Sequence, residues 1–264
     1  MEFPSTFTAA YAAAVAALLG LAMGSFLNCA AWRMTHGESV ARGRSHCAAC
    51  GHTLSALDLV PVVSWLALKG RCRYCGEKIS AVHPAGELIC GACYAAVTLH
   101  FALSWETVEY LILVSLLFCI SCADLYDYII PDRLIAAGIV CRAVFVLLGG
   151  NAGTTALRAL VGGLSVSLPV LLLVLAAEKW MKKEAMGGGD IKLLFMAGLY
   201  FDWKINLVGL LYACGVGIAA GLIGRRVHPR EDGHIPFGPA VAAGCVGAML
   251  TGESLIHWYM SLFF

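Results

Sequence analysis

Met186-Gly187-Gly188-Gly189-Asp190-Ile191-Lys192 is a glycine run that ends in an aspartate at the mouth of an apolar segment. A carboxylate beside hydrocarbon is costly, by about 2.5–3.5 kcal/mol at a helix centre on insertion scales, so Asp190 is a functional candidate by default. A second apolar run, Leu111 to Ala123, closes on Asp124. Two carboxylates brought together share a proton and can activate water. Three successive glycines also suit a phosphate-cradling loop, but no strand precedes these. Here glycine lets an extended backbone come close to the carboxylate, and Gly187 and Gly189 are read as lining the approach to it.

Working outward, the 264 residues are 60% hydrophobic and 13% charged, with a strongly positive mean hydropathy, outside the range of ordinary soluble domains. Eight segments approach or reach the roughly 20 apolar residues that cross about 30 Å of hydrocarbon. They lie near 8 to 30, 86 to 103, 107 to 124, 133 to 149, 155 to 178, 190 to 201, 204 to 224 and 238 to 262. The sixth is short, with Asp202 and Lys204 just beyond it, and reads as a partial or strongly covered span. The expectation is an all-α polytopic membrane protein of about eight transmembrane helices, with one small cytoplasmic zinc-ribbon-like domain inserted between helices 1 and 2. Residues 1–32 form the first transmembrane helix in this reading, 33–84 the four-cysteine domain and 85–264 the transmembrane core.

A net charge of +1 gives no reason to invoke nucleic acid. Its distribution is more informative. Arg33, Arg42, Arg44, Lys69, Arg71, Arg73 and Lys78 separate the first two apolar runs, whereas Ser104-Trp105-Glu106 after the second carries no Lys or Arg. The positive-inside rule makes the first loop cytoplasmic. Lys179, Lys182, Lys183 and Lys192 around the fifth connection, and Arg225, Arg226 and Arg230 in the seventh, continue the alternation. Both termini then fall outside, and Asp124 and Asp190 both reach the cytoplasmic face. The first apolar run is expected to be a retained anchor rather than a cleaved signal, because no basic n-region precedes it and it continues to Ala31.

The cysteines divide by context. Cys47-Ala48-Ala49-Cys50-Gly51 and Cys72-Arg73-Tyr74-Cys75-Gly76 are two C-x2-C-G knuckles in a loop placed in a reducing compartment. Four thiolates so paired suit tetrahedral Zn²⁺, and the trailing glycines allow the tight turn that aims N–H groups at sulfur. With no open position for water, such a zinc is structural, and so small a domain leans on it to fold. Cys90-Gly91-Ala92-Cys93 falls inside the second apolar run and reads as buried, inert thiols. Asp58-Leu59-Val60-Pro61-Val62-Val63-Ser64-Trp65-Leu66, between the knuckles, is too short to span and suits the membrane surface or a place against the helices.

Four further polar positions need a reading. Asn28, in Gly24-Ser25-Phe26-Leu27-Asn28-Cys29, is either packing glue between helices or a wall of the active cavity. Glu87 opens the second span with no basic neighbour in sequence, and suits either the headgroup region or the catalytic cavity. Asp132, after Pro131, reads as the N-cap of the fourth helix, and Asp127 as a solvated loop residue. Gly162-Gly163 and Pro169 fit a closely packed membrane helix. Ile235-Pro236-Phe237-Gly238-Pro239 reads as a helix start.

Taken in order, Gly24-Ser25-Phe26-Leu27-Asn28, the paired knuckles, Leu59-Val60-Pro61 with Ser64-Trp65-Leu66, Glu87-Leu88, Asp124-Leu125 with Pro131-Asp132, Gly187-x-Gly189-Asp190 and Ile235-Pro236-Phe237-Gly238-Pro239 resemble the landmarks of the type IV prepilin peptidases, or prepilin leader peptidase/N-methyltransferases. The resemblance covers nearly the whole chain. A lone G-x-G-D would not identify them, since presenilin-like proteases share it. The resemblance implies a bacterial inner-membrane aspartic peptidase with Asp124 and Asp190 as its catalytic pair and residues 85–264 as its peptidase core. Such enzymes remove the short basic leader of type IV prepilins and type II secretion pseudopilins on the cytoplasmic side. Those that keep the cysteine domain generally also methylate the new N-terminus with S-adenosylmethionine. Helix polarity suggests Asp124, at a carboxyl end, as acid and Asp190, at an amino end, as base. A proton-coupled transporter, or a scaffold with a zinc-bearing docking module, is the competing class. Its usual signs, midplane charges and two similar halves, are not clear in this chain.

Overall fold

The structure, a computed structural model, describes residues 3, 5–182, 186–227 and 236–263. Lys183, Arg230 and Ile235 lie outside the described residues, as do the side chains of Arg225 and Arg226. The described chain is helical, with only two isolated antiparallel bridges, His46 with Thr53 and Arg71 with Lys78. It divides into two compact units, Met1–Cys122 and Ala123–Phe264.

In the first unit, α1 (Thr6–Thr35) starts at Ser5, whose hydroxyl accepts the Thr8 N–H at 3.2 Å while the Thr8 hydroxyl accepts the Ser5 N–H, a capping box. The chain then passes through the cysteine loop, which holds a 3₁₀ turn (Ala56–Leu59) and the short α2 (Val63–Ala67), into α3 (Val82–Phe101). α1 packs along α3 through small residues: a Cβ on Gly20 would come 2.8 Å from the Gly91 Cα, and one on Gly24 2.9 Å from the Cys90 Cβ. This is the close packing that membrane helices gain from glycine, and it makes Gly24 a packing residue. α4 (Trp105–Asp127) follows, joined to α3 by a 2.6 Å hydrogen bond between the Tyr94 and Ser115 hydroxyls.

The second unit holds the last turn of α4, then α5 (Asp132–Leu148), α6 (Ala152–Met181), α7 (Gly188–Gly198), α8 (Trp203–Val227) and α9 (Gly238–Ser261). The eight expected segments correspond to α1 and α3–α9. Among the described helices, six are long and apolar enough to cross a membrane: α1, α3, α4, α6, α8 and α9. α5, at 17 residues, and α7, at 11, are shorter. At 1.5 Å per residue α7 is about 17 Å long, roughly half the hydrocarbon thickness, as its sequence suggested.

Ending a helix at that depth exposes carbonyls that water cannot reach, so side chains must satisfy them. The Asn206 amide donates to the carbonyls of Gly162 and Gly198 at 3.0 Å and of Phe201 at 3.3 Å. Arg142 Nε donates to the Leu199 carbonyl at 2.9 Å, and the Tyr200 hydroxyl donates to the Gly138 carbonyl at 2.7 Å. Glycine makes the approach possible, since a Cβ on Gly198 would lie 2.9 Å from the Gly162 carbonyl oxygen. The Gly162-Gly163 pair thus has the close neighbour its sequence implied. α8 and α9 pack through Gly209, Ala213 and Gly244 in the same way.

Candidate active site and metal centre

Asp124 lies in the last turn of α4 and is 5% exposed. Its Oδ2 accepts the N–H of Gly238, the first residue of α9, at 2.8 Å. A Cβ on Gly238 would also lie 2.8 Å from that oxygen, so glycine is the residue that lets this backbone reach the carboxylate. The motif around Gly238 is therefore more than a helix start. Its signal was in the sequence, but nothing there connected it to a residue 114 positions earlier.

Asp190 occupies the first turn of α7, whose N-cap is Gly187. Its N–H donates to the Gly187 carbonyl at 3.1 Å, and a Cβ on Gly187 would come 3.3 Å from Asp190 Oδ2. Gly189 lies against Ile130, where an added Cβ would be 3.1 Å from the Ile130 Cβ. Two residues beyond Asp190, Lys192 Nζ reaches Asp132 Oδ1 at 2.7 Å. The segment leaving α4 is thus tied twice to the first turn of α7, which brings the end of one helix to the start of the other. The Asp124 and Asp190 carboxylates lie within electrostatic range of one another.

Three readings change here. Asp132 is not an N-cap: Pro131 holds that position, Asp132 is the first helical residue, and its carboxylate pairs with Lys192 instead. Asp127 belongs to the end of α4 and is half-buried rather than solvated. Helix polarity no longer separates the two aspartates. Asp124 is at the carboxyl end of α4 but also at the amino end of α9, whose N–H it holds, so the two dipoles oppose one another there.

Asn28 and Glu87 belong to the first unit, each with a partner. Asn28 is 7% exposed, with its amide nitrogen 2.9 Å from His83 Nδ1. Glu87 is 8% exposed, and its Oε2 accepts the Val62 N–H at 2.7 Å.

The cysteine loop folds into two matching knuckles. Cys47 N–H donates to the His52 carbonyl at 2.9 Å and Gly51 N–H to the Cys47 carbonyl at 2.8 Å. Cys72 and Gly76 repeat the pattern, with the Glu77 carbonyl at 2.8 Å and the Cys72 carbonyl at 3.0 Å. Gly51 (φ 69°) and Gly76 (φ 73°) take the left-handed conformation that closes each turn. The sulfurs of Cys47, Cys50, Cys72 and Cys75 all lie within 4.8 Å of one another, and Cys47 Sγ is 3.9 Å from Cys75 Sγ. A tetrahedral S₄ site with metal–sulfur bonds near 2.3 Å has sulfurs about 3.8 Å apart, so the four can hold a metal ion. The backbone N–H groups of Cys50 and Ala49 pull the Cys47 thiol down to about 7, towards the thiolate a metal requires. How the loop is tethered could not be read from local sequence. Arg33 is buried at the end of α1 and donates to the carbonyls of Ser39, Arg42, Gly43 and Arg44 at 3.2–3.5 Å.

Residues 18–101 match the model of the bacterial Peptidase A24 N-terminal domain, and residues 111–222 that of the type IV leader peptidase family. Among named proteins, the prepilin leader peptidase/N-methyltransferase of Bacillus subtilis (strain 168) is 31% identical over 248 residues, covering 93% of this chain and 96% of its own. Its counterpart in Aeromonas hydrophila is 36% identical over 222 residues, covering 83% and 76%. That of Stutzerimonas stutzeri is 31% identical over 271 residues, covering 93% and 92%. No solved structure matches the chain significantly. With both family domains in order and these relatives aligned over three quarters or more of their length, the chain belongs to the prepilin leader peptidase/N-methyltransferase family.

Proposed function

We propose that this chain is a bacterial inner-membrane aspartic endopeptidase that removes the short basic leader from type IV prepilins or type II secretion pseudopilins at the cytoplasmic face. The observation that carries the peptidase reading is that Asp124 and Asp190 stand at two helix ends linked by the Ile130–Gly189 approach and the Lys192–Asp132 pair, with a backbone N–H on Asp124. The pair shares one proton. Its protonated member polarises the scissile carbonyl while the ionised member takes a proton from the attacking water, without a covalent intermediate. The Gly238 N–H fixes one Asp124 oxygen and leaves the other for water or the shared proton. Gly187 and Gly189 keep the approach to Asp190 open to an extended peptide. Six basic residues between α1 and α3, with Arg33 at the end of α1, favour a cytoplasmic cysteine domain. A leader peptide with basic character would meet the two carboxylates on that same side.

The four cysteines are proposed to hold Zn²⁺ with a structural role, since four thiolates leave it no free position. N-methylation of the new amino terminus is the second activity, for which S-adenosylmethionine would supply the methyl group. The apolar groove of about 390 Å³ has only Ser167 and Lys192 as polar lining, and the cavity of about 20 Å³ is far too small, so neither fits that cofactor.

The test is mass spectrometry of a prepilin incubated with the purified, zinc-loaded protein in detergent, with and without S-adenosylmethionine. Loss of the leader, and the added mass of one methylene only with the methyl donor, is the expected result. Asp124→Asn and Asp190→Asn should each abolish cleavage, and substantial turnover by either variant sinks the two-aspartate mechanism.

A further inference from the structure

The segment between the knuckles presents an unusual surface. Leu57, Leu59, Val60, Val63 and Leu66 are all exposed, Leu57 by 73% and Val63 and Leu66 by 61% each. Five large apolar side chains within ten residues form a patch that a water-facing loop does not maintain without a partner.

The backbone places this patch. Pro61, Val62 and Val63 form a γ-turn in which the Val63 N–H donates to the Pro61 carbonyl, and Val62 takes φ 60°, ψ −49°. That conformation is rare and strained, more so for a β-branched residue, and persists only where its surroundings impose it. The constraint is Glu87: its buried carboxylate accepts the Val62 N–H at 2.7 Å. Glu87 belongs to the second turn of α3, a membrane-crossing helix, and its neighbours Leu88 and Ile89 are exposed by 53% and 58%, the start of that helix's lipid-facing surface. The patch is therefore held at the level where α3 enters hydrocarbon. Its far end is fixed too, since Trp65 Nε1 donates to the Ile79 carbonyl at 3.1 Å and Gly70 N–H to the Trp65 carbonyl at 2.8 Å. Lys69 and Arg71, both exposed, follow directly, while Arg73 is tied to Asp58 inside the segment at 2.7 Å.

We propose that Leu57–Leu66 is an interfacial anchor: the patch sits in the headgroup–acyl boundary of the bilayer, continuous with the lipid face of α3, and the basic residues after it engage anionic phospholipid headgroups. Glu87 is the positioning residue that holds the anchor at that depth through Val62. The occupant is lipid rather than a protein because the patch adjoins a lipid-facing helix surface and is flanked by positive charge. This proposal rests on the membrane placement of the helices and not on the peptidase mechanism.

A photo-crosslinking diazirine amino acid placed at Val63 or Leu66 of the full-length, zinc-loaded protein tests it. The protein is reconstituted in phosphatidylcholine nanodiscs with or without phosphatidylglycerol, with Glu77, exposed on the second knuckle, as the control position. The expected result is phospholipid adducts at 63 and 66, none at 77, and a several-fold higher yield with phosphatidylglycerol. Glu87→Leu should lower the adduct yield at 63 while the zinc content of the variant stays at wild-type level, and Glu87→Gln, which keeps an acceptor oxygen, should restore much of it. Absence of lipid adducts at 63 and 66, adducts only to a second copy or to added prepilin, or a yield indifferent to Glu87→Leu in a zinc-loaded protein would each overturn the proposal. A yield indifferent to phosphatidylglycerol would overturn its electrostatic part.

Discussion

The smallest decisive feature is the hydrogen atom that serves as the side chain of Gly238. With it, a backbone N–H reaches Asp124 Oδ2 at 2.8 Å; with a methyl group, carbon would occupy that contact. Gly238→Ala is expected to lower kcat/KM for prepilin cleavage by at least tenfold, about 1.4 kcal/mol of transition-state stabilisation, while zinc content is unchanged. Leader removal followed by mass spectrometry, alongside metal analysis, checks both halves. The mutual restraint at Lys192 and Asp132 belongs to the same scale. Both side chains are more than half exposed, so Lys192→Met is expected to change thermal stability little and to slow cleavage modestly through looser placement of Asp190. A large drop in melting temperature would contradict that assignment.

At the scale of elements, α7 is the part whose length is chemically meaningful. An 11-residue helix in an apolar setting survives because Asn206 and Arg142 donate to the carbonyls at its end and the glycines of α6 let that end pack close. Asn206→Leu keeps the volume approximately and removes both donors of the amide. Each buried carbonyl left without a partner costs about 1–3 kcal/mol, so the substitution should lower the melting temperature in detergent clearly and reduce cleavage with it. Exposed Leu207→Ala, one position along the same helix, is the control and should be nearly neutral. The hydropathy of the segment from 190 to 201 announced an apolar helix and its shortness. It carried nothing about Asn206, because an asparagine inside an apolar run looks the same whether it bonds its own helix or three carbonyls elsewhere.

For the molecule as a whole, the cysteine domain and the helical units respond differently to metal and acid. The cysteine loop has two isolated bridges and Cys72 and Gly70 as its few buried residues, so a bound metal supplies much of its order. Chelation is expected to open residues 36 to 80 to protease while the helices keep their far-ultraviolet circular dichroism. Acid should act in the same direction. A metal displaces the protons of the thiols that hold it, so protons compete for all four sulfurs and affinity falls as pH falls. Asp58 adds to this. The Ser55 hydroxyl, the Arg73 guanidinium and the Ser55 N–H hold its carboxyl well below the usual carboxylate range. A depressed acid stabilises the folded form above its unfolded value, near 4, and that contribution is lost as pH falls towards the folded value. Zinc release followed with a chromogenic chelator should thus rise steadily on acidification, and Asp58→Asn should release zinc at a higher pH than wild type.

The class of the molecule is legible in the chain: apolar runs longer than a soluble helix needs, a short sixth run, two C-x2-C-G knuckles, and two aspartates at the ends of apolar segments. Each of these is a local pattern, fixed by hydropathy, ligand spacing or backbone freedom within a few residues. Folding alone selects which distant groups complete those patterns: the Gly238 N–H on Asp124, Lys192 on Asp132, Asn206 at the end of α7, and Glu87 on a strained Val62. Helix polarity, read along the chain, assigned Asp124 to one dipole, whereas folding brought a second helix start to the same carboxylate. The physical reason is common to all four. A polar group in an apolar setting must find a partner, but the requirement names only the chemistry of that partner, and its position in the chain is set by how the helices pack.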